Sequence, residues 1–171
     1  VDVYGSLMLV IGMLSALYYA KQTGIGQKVS VDLLSSGVHM QSQELAYYLN
    51  SGKVPQRPHN HSGHVLQASP YGVYKTGDGW MVLSTNAGDN PTQLGELIGS
   101  SEVAPLMKDN EAKMVNRDQL HTIIENRLVL DTTEHWIEKF RAVGIWCAKV
   151  NTYEDLPKDP QILHNGIIKE I

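Results

Sequence analysis

The sequence has 171 residues, 42% hydrophobic, 19% charged and 7% aromatic, with 14 Lys and Arg against 18 Asp and Glu for a formal net charge of −4. That length can bury a core without metal or disulfide support. A single cysteine, Cys147, excludes an intrachain disulfide and a multi-cysteine zinc site and fits a reducing, cytoplasmic compartment, while the acidic balance argues against a general nucleic-acid coat.

The first element is an apolar run, Leu7 to Ala20, reading LMLVIGMLSALYYA. It is shorter than the ~20 apolar residues a membrane span needs, and it lacks the basic lead-in of a signal peptide. Leu7, Val10, Ile11, Leu14, Leu17 and Tyr18 follow helical spacing, which predicts a helix over 4–22. Met8, Met13 and Ala16 extend the apolar surface to other faces, so this helix needs cover on several sides. Asp2 stands at its start, where the helix dipole favours a carboxylate and where an ordinary capping residue is also found. Thr23-Gly24-Ile25-Gly26-Gln27 follows. A dinucleotide-binding turn needs a strand before it and a helix after it, so this turn reads as a helix cap.

Val29 to Leu33 alternates like a short strand, and residues 35–50 read as a second helix, the order of a wound α/β layer. Residues 53–69 are an irregular loop containing Pro55, Pro58, His59, His61 and His64. Loops of this length are usually functional or linking. The histidines have no partner cysteine and no helical spacing, so they read as loop residues and not as a metal site. Beyond them, Tyr71–Lys75 and Trp80–Ser84 flank Gly77-Asp78-Gly79, a hairpin signal. Asn90-Pro91 opens a helix running to Gly99. Helices over 110–129 and 132–143 follow, the second opened by Thr132 and closed by Gly144. A strand over 145–150 makes Cys147 a buried structural thiol. The alternation in Ile167–Ile171 predicts a last strand. An apolar helix at one end and a short strand at the other give the expectation of part of a larger protein.

Four stretches together resemble the family III CoA-transferases, the CaiB/BaiF group. The first is Asp2, its apolar helix, and Thr23-Gly24-Ile25-Gly26-Gln27-Lys28-Val29-Ser30-Val31-Asp32-Leu33. The second is Ser62-Gly63 with Pro70 to Gly79. The third is Asn116-Arg117, Trp136 and Gly144-Ile145. The fourth is Asp159-Pro160-Gln161 followed by Gly166.

The resemblance implies an α/β fold with an α+β small domain, here a fragment of the family III fold lacking most of the Rossmann-like half. It places 1–52 in the large domain, 53–69 as a linker, 70–160 as the small domain, and 161–171 returning to the large domain. It makes Asp2 the nucleophile that carries CoA from an acyl-CoA to a carboxylate through an aspartyl-CoA thioester. Coenzyme A is then a substrate, with no metal, no nucleic-acid or membrane partner, and an interlocked homodimer. Two alternatives stay open: a racemase-type member in which Asp2 moves an α-proton, and a non-catalytic binding or assembly module. The isolated chain is expected to lack full activity. No CoA-binding residue is assigned, because those contacts lie upstream by resemblance; Lys21, Lys28 and Arg57 receive no role. Two departures stand out. Residues 53–69 lack the glycine-rich loop of formyl-CoA transferases, and Gly144-Ile145 lacks a following proline.

Overall fold

A computed structural model describes residues 1–60, 63–84 and 90–169. The chain forms two units, Val1–Pro55 and Gln56–Ile171.

The first unit contains three helices, α1 (Asp2–Thr23), α2 (Leu33–Met40) and α3 (Ser42–Ser51). α1 ends as expected: Gly24 adopts the left-handed conformation at φ 75° and donates its N–H to Ala20 O at 2.8 Å. The strand expected at Val29–Leu33 does not form. A strand exists through pairing, and the described residues of this unit provide no second one. Asp32 instead caps α2, its carboxylate accepting from Ser35 N at 2.7 Å and Ser35 Oγ at 2.8 Å. The expected helix over 35–50 is two helices, broken at Gln41 (φ −101°, ψ 21°).

Within its unit α1 buries only Gly5, and Leu14, Leu17 and Tyr18 are 62%, 67% and 69% exposed. At 22 residues it is long and apolar enough, by length and composition, to cross a membrane, as a buried helix of a soluble protein also can be. The apolar run counted from sequence was shorter because it left out the polar first turn and Lys21-Gln22-Thr23, which the helix includes.

The second unit is built on an antiparallel sheet of β1 (Tyr71–Lys75), β2 (Trp80–Ser84) and β3 (Trp146–Lys149), in that order. Val73 pairs with Val82, and Val82 with Ala148. Around the sheet lie α4 (Pro91–Ile98), α5 (Val103–Leu106), α6 (Asn110–Val115), α7 (Arg117–Leu128), α8 (Thr133–Arg141) and α9 (Pro160–Asn165). The strand period of two sends Tyr74, Met81 and Leu83 inward. They meet Leu94, Leu120, Ile124, Leu128, Trp136, Ile137 and Phe140 from the helices in one core. α7 also covers the free edge of β1: Glu125 Oε2 accepts from Lys75 N at 2.9 Å, and His121 Nε2 meets Val73 O at 3.0 Å. This satisfies edge groups that would otherwise invite another strand.

The expected helix over 110–129 breaks at Asn116 (φ −93°, ψ 10°). The Asn116 amide donates to Leu106 O at 3.3 Å, an alternative partner of the kind that makes asparagine a poor helix-interior residue. α9 is a helix that periodicity alone did not reveal. Its signal is present, since Asp159 caps Gln161 N and Ile162 N, Pro160 takes the first position and Gly166 the last. Ile167–Lys169 form no strand, and the rest of that expected element lies outside the described residues.

The hairpin turn is tied to α8 through Asp78. Its Oδ1 accepts from Thr133 N at 2.7 Å and Thr133 Oγ1 at 2.8 Å, and Thr133 Oγ1 meets Thr76 Oγ1 at 2.6 Å. These donors, led by the Thr133 N–H, hold the Asp78 carboxyl below its ordinary value. A carboxylate with a lowered folded pKa contributes stability that is fully present above its unfolded pKa and disappears as pH falls through the folded one. Acid melting of Asp78→Asn is therefore expected to show a shallower loss of midpoint below about pH 4 than the parent chain. Parallel acid limbs in the two proteins would show that this carboxylate contributes nothing.

Candidate active site

Asp2 is the first residue of α1, and Val1 is the N-cap with no side-chain cap bond. Asp2 is thus not the capping residue that its position also suggested, and its carboxylate is exposed. A helical step turns each side chain by about 100°, so Val1, Tyr4, Gly5 and Met8 share one face and Asp2 lies beside it. That face rests on α2. Gly5 is buried, and a Cβ there would lie 3.0 Å from Leu33 Cδ2 and 3.5 Å from Ser36 Oγ, so its lack of a side chain permits the approach. The Tyr4 hydroxyl hydrogen-bonds His39 Nδ1, and the two rings stack with centroids 5.8 Å apart. Ser36 Oγ donates to Asp32 O at 2.8 Å, and Ser6 Oγ to Asp2 O at 2.9 Å.

The first turn of α1 is therefore fixed on one side by α2, with a free carboxylate on another. The first backbone N–H groups of a helix lack intrahelical partners and favour negative charge. An exposed carboxylate there stands beside donors of the kind that stabilise negative charge.

The other residues singled out in the sequence serve local structure. His59 donates its backbone N–H to Asp118 Oδ1 at 2.9 Å, and His64 Nδ1 accepts from Leu66 N at 3.2 Å; His61 lies outside the described residues. Among the described residues no group of three His, Cys, Asp or Glu is arranged to hold a metal. Thr23 Oγ1 donates to Tyr19 O and accepts from Ile25 N, so the glycine-rich turn closes α1. Cys147 is partly buried, and burial pushes its thiol above the ordinary range, with Arg141 opposing; at neutral pH it is a thiol, not a thiolate nucleophile.

Gly63 explains one motif position. It has φ 81°, and a Cβ built there would lie 2.2 Å from Tyr71 O. Both the left-handed backbone and the contact with a strand carbonyl exclude a side chain. Gly63→Ala is expected to destabilise the second unit by at least ~2 kcal/mol, read as a fall in urea midpoint. An unchanged midpoint would show that the loop relocates at no cost.

The chain, with an exposed aspartate at the head of an apolar helix in one unit and a small α+β sheet in the other, has known relatives. Residues 1–171 match CoA-transferase family III, and the chain belongs to that family. It is 30% identical over 176 residues to human succinyl-CoA:glutarate CoA-transferase, covering 98% of this chain and 37% of the relative. It is 30% identical over 187 residues to cinnamoyl-CoA:phenyllactate CoA-transferase of Clostridium sporogenes, covering 98% and 41%. Among solved structures, a CaiB/BaiF family protein from Brucella suis superposes with a TM-score of 0.72 at 27% identity, covering 95% of this chain and 43% of that one. The chain therefore spans about two fifths of the length of these relatives.

Proposed function

We propose that this chain carries the nucleophile of a CoA-transferase, and that Asp2 is that nucleophile. The observation that carries the reading is the free, exposed Asp2 carboxylate in the first turn of α1, in a chain matched by the family along its whole length. The two relatives act on different acids, so the reading extends to the exchange of CoA between carboxylates and to no particular substrate.

The chemistry balances without metal or redox partner. An Asp2 carboxylate oxygen attacks the thioester carbonyl of an acyl-CoA, the C–S bond breaks, and a mixed anhydride and CoA thiolate result. The thiolate attacks the Asp2 acyl carbon, giving aspartyl-CoA thioester and releasing the first carboxylate. An acceptor carboxylate then attacks that thioester, and the expelled thiolate takes the acceptor's acyl group. Asp2 is returned as a carboxylate, with no net proton uptake. Dividing the exchange into such steps is covalent catalysis, and each tetrahedral oxyanion would form beside the N–H groups of α1.

The test is intact-mass analysis of the longer protein that includes this chain, mixed with acyl-CoA. The expected result is a CoA adduct mapped to Asp2 and lost in Asp2→Asn, while the 171-residue chain alone forms none. Exchange of the substrate α-proton with solvent, without an adduct or acyl transfer, would replace this reading with racemase-type chemistry. Absence of both in the longer protein would leave the chain as a binding or assembly module.

A further inference from the structure

One irregular segment of the second unit, the loop before β1, is held by side chains distant in sequence. Residues 56–60 and 63–65 have no helix or strand, yet the first turn of α7 grips both ends of this stretch. Arg117 Nη1 donates to Val65 O at 3.1 Å, and Arg117 Nη2 donates to Gln56 O. One residue on, Asp118 Oδ1 accepts the backbone N–H of His59 at 2.9 Å. One guanidinium thus bridges two carbonyls nine positions apart in sequence, and the adjacent carboxylate takes a donor between them. The planar fork of arginine suits this use, because its several N–H groups point in fixed directions. The bonds are charge-assisted, roughly twice as strong as neutral ones. α7 itself is held in the core by Leu120, Ile124 and Leu128, all 0% exposed, and by His121 stacked on Tyr74 at 4.4 Å between centroids.

We propose that Arg117 and Asp118 form a clamp that makes residues 56–60 and 63–65 a preformed part of the second unit. They are positioning residues: they fix a backbone path and take no chemical step. Of the stretch 53–69, which reads as a linker in sequence, the part from Gln56 onward falls within the second unit. The polar side chains of residues 56–60 and 63–65 are then presented in one arrangement before any partner or substrate arrives. Arginine and aspartate side by side at the head of a helix would otherwise read as a solvated charge pair; their backbone partners give them this role.

The test is amide hydrogen exchange on the full chain, following the His59 amide and the 56–66 backbone against β2. Arg117 does not touch the His59 amide, so an effect of Arg117→Met on that amide must travel through the loop. Arg117→Met and Asp118→Ala are each expected to speed exchange of His59 and its neighbours at least ~10-fold, with β2 unchanged. Asp118→Asn, which keeps an oxygen acceptor, is expected to stay within ~3-fold of the parent. Unchanged exchange at His59 in Arg117→Met would overturn the clamp. So would a loop exchanging at the free-peptide rate in the parent, or a rise in β2 exchange parallel to that of the loop, which would mark general destabilisation. None of these outcomes depends on the role of Asp2.

Discussion

Asp2→Asn is expected to lower CoA transfer by at least ~10³-fold, a loss of the size seen when a covalent nucleophile is removed. Asparagine keeps the shape of the side chain and removes its charge, so what is lost is the oxygen that attacks the thioester. The structure makes this substitution a clean one. Asp2 makes no side-chain cap bond, its side chain is exposed, and the fixed face of the helix turn is formed by Val1, Tyr4 and Gly5. The variant should retain the helical signal and melting behaviour of the parent within the ±0.5 kcal/mol usual for exposed sites. The measurement is the rate of acyl exchange by the longer protein with an acyl-CoA donor and a carboxylate acceptor. Retention of more than a tenth of the parent rate would remove Asp2 from the chemistry and reduce it to a first-turn acid stabilising its helix. Glutamate at the same position is a second check. It keeps the carboxylate but moves it by a methylene, so an intermediate loss would point to geometry as well as charge.

The second large effect concerns folding. Phe140→Ala is expected to destabilise the second unit by ~3–5 kcal/mol, the cost of removing a buried aromatic ring and leaving a cavity. Phe140 is 0% exposed, and its ring stacks on Trp136 with centroids 5.8 Å apart. Its carbonyl accepts from Ile145 N at 3.0 Å, so the same residue sets the turn from α8 into β3. Trp136 is itself anchored, its indole N–H donating to Leu128 O at 2.8 Å, so the surroundings cannot close over a missing ring without breaking that bond. Whole domains have only ~5–15 kcal/mol of stability. The expected result is therefore loss of most of the cooperative urea transition, or a shift to much lower midpoint. Phe140→Leu, which keeps most of the volume, should fall well short of that loss. Equal midpoints for the parent and the alanine variant would mean that the ring contributes little to this core.

Much of the second unit was legible because its signals are local. Gly77-Asp78-Gly79 between β-prone runs predicts the hairpin, Asn90-Pro91 and Gly99 bound α4, and Thr132 with Gly144 bounds α8 and its turn. Each depends on backbone preferences of neighbouring residues, which do not wait for tertiary contacts. The errors share a different cause. The Val29–Leu33 alternation has the right period for a strand, but pairing is a property of a second segment, and among the described residues of the first unit there is none. Two pairs of helices were each read as a single helix, because a helical pattern runs on across Gln41 and Asn116 while the backbone breaks there. Asp32 shows the same limit from the other side: it falls within the expected strand, yet it caps α2, and the Ser35 donors hold its carboxyl below the usual range.

Sequence by itself determined the family, through a run of motifs whose residue types and order are specific in combination, and it singled out Asp2 as the one acid at the head of an apolar helix. Tertiary structure added how α2 packs on the first turn of α1. α2 meets that turn through Gly5 and Tyr4, and Asp2 in the same turn is exposed. Structure also showed that Arg117, until then only a motif position, and its neighbour Asp118 grip a distant loop. The physical reason is range. Caps and turns are settled within about four residues, whereas the bonds from Arg117 and Asp118 join positions 52 to 61 residues apart, which no local pattern encodes.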